Sequence, residues 1–238
     1  MIYQTKGIIL HRFMHSDSKM IVKIYTESFG TLSYLCFRSS NKKKDNYFFN
    51  PMSLVEITAE KKAKSNFDYI KEINVLEGVN ICSFDIAKSS VSLFLNEVLY
   101  QLLFDASEDK SLFDFLFINL SRFFTEPLHP DFHLRFLLAL TRELGFFPED
   151  NYSEKSMCFN IEESCFEANR LVEQEEQTLG TYFHYIQNQD LFFSNYQNAI
   201  PYKWRNLLLD MMLKYYTLHI TNLSQIKSHE ILKTVLHQ

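Results

Sequence analysis

The first eighty residues alternate between apolar and polar positions with the two-residue period of β-strands. Met20, Val22 and Ile24 alternate with Lys19 and Lys23, so one face of this segment can be buried while the other carries lysines. β-Branched and aromatic residues are frequent in such segments, and turn formers separate them. Five strands are predicted, at residues 6–10, 16–26, 30–38, 51–59 and 67–75.

The number and spacing of these strands are typical of a small closed barrel. Gly30 can adopt the positive φ of a turn before the third strand, and Pro51 suits the first position of the fourth. Loops at residues 39–50 and 60–66 fit an OB-fold barrel. An SH3-like barrel has the same number of strands, so the strand pattern leaves both architectures open.

After residue 84 the apolar residues follow the period of an α-helix. Ser89 or Ser90 is a suitable N-cap for the first helix, and Gly145 is a suitable stop for the third. The helices are apolar around much of their circumference, which is typical of the centre of a bundle. Helices are predicted near residues 89–104, 112–124, 131–145, 204–220 and 228–236.

Residues 149–199 show a weaker pattern than the rest of the second half. The segment is acidic up to residue 176, and a short hairpin is predicted at residues 157–161 and 165–167. An irregular acidic insert is therefore expected at 149–199. The predicted class is α+β, with a five-stranded barrel at residues 1–80 and a mainly helical domain at residues 81–238.

Charge is divided unevenly along the chain. The formal net charge of the 238 residues is -5. Residues 1–80 hold twelve Lys and Arg against eight Asp and Glu, a net of +4, which leaves the remainder at -9. A local positive field matters more for binding nucleic acid than the total charge does. The pattern indicates a basic module joined to an acidic one, although chance variation gives such a difference too.

The cations of the first eighty residues lie among aromatic residues. Phosphates bind cations and unpaired bases stack on rings, so Phe13, Phe37 and Tyr47 are candidate contacts, whereas Phe48 and Phe49 are predicted core residues. The alternative is a solvated basic face, but a run of three lysines favours nucleic acid. The candidate DNA-binding residues are Arg12, Lys19, Lys23, Arg38, Lys42, Lys43, Lys44, Lys61, Lys62 and Lys64.

No pattern of catalytic or metal-binding residues is evident in the sequence. The five glycines are scattered and cannot form a phosphate-binding loop. His129 and His133 lack further ligands at suitable spacing, and Cys158 and Cys165 have no second pair downstream. We therefore expect no enzymatic activity, no metal and no cofactor.

The sequence also predicts a cytoplasmic protein with reduced thiols. The first residues do not have the pattern of a secretory signal, and no apolar run approaches the ~20 residues that span a membrane. The four cysteines contain no Cys-x-x-Cys pair.

Recognisable segments run through nearly the whole chain, among them Leu144-Gly145-Phe146 followed by Pro148. In order they are residues 6–10, 16–22, 25–30, 37–38, 51–57, 69–72, 136–148, 215–219 and 226–232. Taken together, this ordered set resembles the RecO family of bacterial DNA repair and recombination mediators. The resemblance implies an N-terminal OB-fold followed by a helical domain.

The resemblance also implies a function. It implies a non-enzymatic, nucleoid-associated mediator that binds single- and double-stranded DNA and anneals complementary strands. Such a protein helps to load recombinase onto DNA covered by single-strand-binding protein. Its partners would be RecR and the acidic C-terminal tail of single-strand-binding protein. The alternative is a protein-interaction scaffold with little affinity for DNA.

Two further implications concern the helical domain. Many family members carry a four-cysteine zinc site after the Leu-Gly-Phe-x-Pro segment, but this chain has only Cys158 and Cys165 there, so loss of the zinc is predicted. Docking of the acidic tail requires a cation for its carboxylates and an apolar slot for its terminal phenylalanine. Arg135 matches this role best, and Arg142 and Arg205 are weaker candidates.

Overall fold

The computed structural model describes residues 1–37, 48–62, 67–78, 85–168, 174–192, 199–221, 223 and 226–236. The chain forms two compact units, Met1–Pro127 and Leu128–Gln238. The first unit contains a β-barrel followed by two helices. The second contains helices and a short β-hairpin.

The five predicted strands are confirmed, and they close into a barrel. The strand order is β1-β2-β3-β5-β4, and β4 pairs back to β1. β3 and β5 are parallel, whereas the other neighbours are antiparallel. This connectivity is that of an OB-fold, which decides between the two barrels. The strands are β1 (Ile2–Ser16), β2 (Lys19–Thr26), β3 (Gly30–Phe37), β4 (Leu54–Glu60) and β5 (Asp68–Glu77).

Several predicted strand boundaries are wrong, including the start of β1 at Ile2 and of β2 at Lys19, and two of the differences have a clear structural reason. β1 was expected to end at residue 10, but it continues to Ser16 because its second half pairs with the beginning of β2. The fourth strand was expected to begin at Pro51, but that residue lies in a turn and the strand begins at Leu54. Met52 interrupts the extended backbone between them with a φ of 69°.

The turn before β3 depends on Gly30. Its φ is 64°, in the left-handed region that favours glycine. A Cβ at this position would lie 2.3 Å from the carbonyl oxygen of Ala106, so the backbone approach itself excludes a side chain. The predicted role of Gly30 in this turn is confirmed.

Polar groups on three strands meet within the barrel. The Tyr3 hydroxyl in β1 donates to Asp68 Oδ2 at the start of β5 at 2.5 Å, and it lies 3.3 Å from the hydroxyl of Tyr34 in β3. These hydrogen bonds therefore link β1 to β3 and β5, the two strands of the parallel pair.

Two helices follow the barrel in the first unit, α1 (Ile86–Leu102) and α2 (Lys110–Thr125). Asp85 caps α1 by accepting a hydrogen bond from the Lys88 amide at 2.9 Å. The prediction of Ser89 or Ser90 as the cap is wrong because the helix begins before either residue. Within the described residues, no helix is long and apolar enough to cross a membrane.

The second unit is built from α3 (Phe132–Glu143), α4 (Gln174–Gln187), α5 (Tyr202–His219) and α6 (Ser228–Val235). The predicted hairpin is confirmed as β6 (Cys158–Asn160) and β7 (Cys165–Glu167). Tyr216 of α5 donates to the Leu137 carbonyl oxygen at 2.6 Å, which joins α5 to α3 through a buried hydrogen bond.

The expectation of an irregular segment at 149–199 is wrong in part, because α4 lies within it. Leu179, Phe183 and Ile186 recur at helical spacing, and the last two are buried. Gly180 interrupts this pattern, yet it is required for packing: a Cβ there would lie on the carbonyl oxygen of Met157, beside β6.

The predicted domain boundary at residue 80 follows the end of β5. The compact units, by contrast, divide after Pro127, so α1 and α2 belong to the same unit as the barrel. Since both helices contact the barrel, they determine how much of its outer surface stays accessible.

Candidate nucleic-acid interface

The alternation predicted for β2 is confirmed, because Met20, Val22 and Ile24 all lie in the barrel core. Lys19 and Lys23 alternate with them and therefore project from the outer face of the barrel. These two lysines have different surroundings. Lys23 lies in a part of the outer face that other residues cover, and Lys19 lies in a part that is accessible to solvent.

Lys23 lies in the covered part, where its side chain is only 12% exposed. Its Nζ atom donates to the Phe104 carbonyl oxygen at 2.6 Å and lies 3.1 Å from the centroid of the Phe104 ring. Asp105 approaches the same ammonium at 3.3 Å. The ammonium of Lys23 therefore binds the segment that follows α1 and holds it against the barrel.

Lys19 lies in the accessible part, at the start of β2. It is directly opposite Phe37, the last residue of β3. Its Nζ atom lies 5.8 Å from the centroid of the Phe37 ring, and Phe37 is 68% exposed. Within the described part of the chain, Lys19 forms no ion pair with a carboxylate. No described carboxylate therefore neutralises its charge.

A second lysine and ring are Lys62, which follows the end of β4, and Tyr69 on β5. Lys62 Nζ is 4.1 Å from the centroid of the Tyr69 ring. Tyr69 of β5 pairs with Leu35 of β3, and Leu35 points to the same side as Phe37 two residues later. The pairs Lys19–Phe37 and Lys62–Tyr69 therefore share the outer face of the barrel. We call these four residues the lysine–aromatic face.

The end of β1 borders this face. Phe13 is opposite Ile21 of β2 and is 48% exposed. The predicted DNA-binding residue Arg12 is half-exposed, but it pairs with Val22 and so projects to the opposite side of β1 from Phe13. Lys61 is exposed beyond the end of β4. Phe13 therefore adds an aromatic side chain at the edge of the lysine–aromatic face.

The remaining predicted contacts are only partly covered by the structure. The expected core positions of Phe48 and Phe49 are confirmed, since Phe49 belongs to the barrel core and Phe48 packs against it. The residues that lie outside the described part of the chain are Arg38, Lys42, Lys43, Lys44, Tyr47 and Lys64.

Two of the arginines predicted to bind a partner tail are buried in the second unit. Arg135 is 2% exposed and Arg205 is 8% exposed. Arg135 donates to the carbonyl oxygen of Asp190 at 3.3 Å, and Arg205 donates to the carbonyl oxygen of Leu236 at 3.1 Å. Their surroundings favour a structural role over contact with a partner at the surface.

A single buried carboxylate, Asp131, compensates these two cations. Its Oδ2 atom accepts a hydrogen bond from the Ile200 amide at 3.1 Å and lies 3.7 Å from the Arg135 guanidinium. Burial raises the pKa of Asp131, whereas the Ile200 amide, Arg135 and Arg205 oppose that shift. Burial and the charge of Arg205 lower the pKa of His133 to about 3, so this imidazole is neutral at neutral pH.

Arg142 is the third arginine predicted for the tail, and it is exposed. Its guanidinium carbon lies 4.1 Å from the centroid of the Phe147 ring. A cation beside an accessible ring is suited to an acidic, aromatic peptide end. Of the three candidates, Arg142 is therefore the accessible one.

A cavity that sequence reasoning missed lies beside α5. Its volume is about 420 Å³, and Leu213, Leu223 and Ile226 provide apolar walls. Lys214 and His229 also line it, so a positive group lies next to an apolar slot. The cavity forms only when residues that follow α5 pack beside this helix. The local sequence around Lys214 therefore looks the same as that of a solvent-exposed lysine on any helix.

Asp210 lines the same cavity, but its charge is already compensated. Lys233 of α6 donates to Asp210 Oδ1 at 2.6 Å. Lys214 has no such carboxylate among the described residues. Among the described residues that line the cavity, Lys214 is therefore a cation without a paired carboxylate.

Cys158 and Cys165 lie on the two strands of the hairpin. Cys165 is opposite Asn160 and Cys158 is opposite Glu167, so the two cysteines are diagonal rather than adjacent. A structural zinc ion requires four ligands. Among the described residues, no three His, Cys, Asp or Glu side chains are grouped so that they could hold a metal.

Hydrogen bonds and aromatic packing hold this hairpin against the helices. The Tyr215 hydroxyl of α5 donates to Ser164 Oγ in the hairpin turn at 3.1 Å. Phe159 of β6 packs on Phe183 of α4 with ring centroids 4.2 Å apart, and on Phe166 of β7 at 5.3 Å. These contacts tie the hairpin to both helices.

Family models match both parts of the chain. The model described as "Recombination protein O N terminal" matches residues 1–79, and "Recombination protein O C terminal" matches residues 83–224. A DNA repair protein RecO from Azobacteroides pseudotrichonymphae is 31% identical over 99% of each chain. The proteins of that name from Phocaeicola vulgatus and Flavobacterium psychrophilum are 30% and 28% identical over 98% of each chain.

Proposed function

Because the chain belongs to the RecO family of DNA repair proteins, we propose that it acts by binding DNA on the outer face of β2, β3 and β5. The observation that carries this proposal is the lysine–aromatic face. Lys19 and Lys62 each place an ammonium beside a ring on the strands that OB-folds use for nucleic acid. Arg38 directly follows Phe37 in the chain, and the lysine run at residues 42–44 comes shortly after it.

The proposed action is strand annealing, which needs no covalent step. Cations on the barrel neutralise phosphates and so reduce the repulsion between two complementary strands. Contacts to the backbone leave the edges of the bases free to pair. The acidic remainder of the chain, with its net charge of -9, disfavours DNA elsewhere on the molecule.

The proposed partners are those that the family resemblance implies. RecR would act with this protein in loading recombinase onto covered single strands. For the acidic tail of single-strand-binding protein, we place the docking site at the cavity beside α5, because Lys214 lies next to the apolar walls formed by Leu213, Leu223 and Ile226. Arg142 and Phe147 provide a second accessible cation beside a ring.

We further propose that the hairpin of the second unit folds without zinc. Prolonged treatment with a chelator is expected to leave the thermal unfolding midpoint unchanged, since the contacts of Tyr215 and Phe159 replace metal ligands. Differential scanning fluorimetry with and without EDTA measures this, together with zinc analysis of the purified protein. A stoichiometric zinc content, or a midpoint that falls with the chelator, contradicts the proposal.

The DNA-binding proposal is tested by replacing Lys19 and Lys62 together with alanine. Loss of two phosphate contacts is expected to reduce the salt slope for single strands, log Kobs against log salt, by ~1.4. Affinity at low salt is expected to fall about tenfold or more. Fluorescence anisotropy of a labelled single-stranded oligonucleotide, titrated at several salt concentrations, gives both quantities.

The matched control replaces Lys155 and Lys203, two exposed lysines of the second unit, which changes the total charge equally. It is expected to retain the wild-type slope. A wild-type protein that binds no DNA at low salt, yet still binds its protein partners, contradicts the proposal and supports a protein-interaction scaffold. Equal losses in both variants would show that the total charge matters rather than this face.

A further inference from the structure

Phe37 is a large aromatic side chain that the fold leaves on the surface. It is the last residue of β3, its ring is 68% exposed, and it lies on the outer face opposite Lys19. The neighbouring aromatic residues Phe48 and Phe49 are packed into or against the barrel core instead. A single exposed ring is ordinary on a protein surface, so the groups beside Phe37 decide what it can bind.

Lys19 gives this exposed ring a definite chemical partner. The ammonium lies 5.8 Å from the ring centroid and forms no ion pair within the described residues. Lys23, on the same face of the same strand, is held by Phe104 and Asp105. A ring and an available cation side by side match one base and its phosphate.

We propose that Phe37 is a stacking platform for an unpaired base, and that it makes this face prefer single strands to duplex. This inference rests on the proposed DNA binding and adds the residue that sets the substrate class. Inside a duplex both faces of each base are covered by neighbouring bases, so the ring has nothing to stack on. The lysines, by contrast, attract the phosphates of either form.

Tyr69 and Phe13 extend the platform on either side. Tyr69 lies on β5 next to the strand that carries Phe37, and Lys62 lies over its ring at 4.1 Å. Phe13 is half-exposed on β1 beyond β2. The three rings thus lie on β1, β3 and β5, with Lys19 of β2 between them, so that a single strand of DNA that crosses the sheet would meet several of them.

The test compares Phe37→Ala with wild type on a single-stranded oligonucleotide and on a blunt-ended, fully paired duplex of the same composition. Affinity for the single strand is expected to fall about tenfold, equal to ~1.4 kcal/mol, while affinity for the duplex changes less than about twofold. Phe37→Leu keeps the apolar surface without the aromatic face and should lose the same selectivity. Phe37→Tyr should retain it.

Phe29→Ala is the matched control, because Phe29 is also an exposed aromatic residue of the barrel but lies in the turn at the other end of β3. It should bind both DNA forms as wild type does. A Phe37→Ala protein that keeps its single-strand affinity overturns this inference alone, provided that the Lys19/Lys62 variant still loses binding. If wild type binds no DNA, the proposed function fails with it.

A direct readout of stacking is available from Phe37→Trp. Its indole should be quenched when the single strand binds, and the duplex should leave it unquenched. Trp204, the one tryptophan of the chain, supplies a constant background from the second unit. Equal quenching by both forms, or none by either at saturating DNA, would contradict a stacked unpaired base.

Discussion

Replacing Asp131 with alanine is expected to lower the free energy of unfolding of the second unit by about 3–5 kcal/mol. The substitution leaves the buried guanidinium groups of Arg135 and Arg205 without their carboxylate. It also removes the acceptor of the buried Ile200 amide. An unpaired buried cation destabilises the folded state far more than the loss of an exposed ion pair does.

The measurement is urea unfolding followed by the fluorescence of Trp204, which lies in α5 and reports on the second unit. Asp131→Asn keeps an oxygen for the Ile200 amide but lacks the negative charge, so its loss should be smaller. Asp150→Ala removes an exposed carboxylate that pairs with His184 and should change little. A wild-type unfolding midpoint for Asp131→Ala would contradict the structural role of this cluster.

Stability of the second unit is also expected to fall as the pH drops below about 6.5, because of His133. Burial and the charge of Arg205 lower its pKa from 6.5 to about 3 in the folded state. Above pH 6.5 both states hold a neutral imidazole, so this contribution to stability is fully present. Between the two pKa values only the unfolded state takes up the proton, which removes up to ~1.4 kcal/mol of stability per pH unit.

His133→Gln isolates this effect because its side chain can donate a hydrogen bond but does not titrate. The difference in unfolding free energy between wild type and the variant should change steadily between about pH 7 and pH 5. Burial raises the pKa of Asp131, so protonation of this carboxyl at low pH favours the folded state. This effect is present in both proteins and cancels in the difference between them. A difference that is independent of pH would show that His133 has the same pKa in the folded and unfolded states, which contradicts its burial as a neutral imidazole.

The strands could be predicted from local alternation, but the closure of the barrel could not. Met20, Val22 and Ile24 face the core as their spacing indicated. The pairing that distinguishes an OB-fold joins Tyr34 and Leu35 of β3 in parallel to β5. Such a pairing joins segments far apart in the sequence, so no local pattern specifies it.

The accessible lysine could likewise not be identified from the sequence. Lys19 and Lys23 occupy equivalent positions in the same alternation, and both were predicted to contact DNA. The two lysines differ only because Phe104 and Asp105, in the segment after α1, pack against Lys23 and bind its ammonium. Among the described residues, Lys19 has no such contact with that segment. Local sequence determines which face a residue occupies, and tertiary packing determines whether that face is covered.

The burial of Arg135, by contrast, had a signal in the sequence. The first part of α3 is apolar around most of its circumference, and residues from Phe132 to Leu138 are all buried, Arg135 among them. Asp131 stands four residues before Arg135, the spacing at which a carboxylate and a guanidinium meet on a helix. These two features together indicate a buried ion pair better than they indicate a groove at the surface.

The central claim is that single-stranded DNA lies on the lysine–aromatic face, and ultraviolet cross-linking with mass spectrometry tests it most directly. A stacked ring cross-links to its base, so a photoreactive oligonucleotide should label peptides that contain Phe37 and Tyr69, with weaker labelling near Phe13. Peptides from residues 128–238 should stay unlabelled at the same DNA concentration. Labelling confined to residues 128–238, with none in the barrel, would contradict the claim.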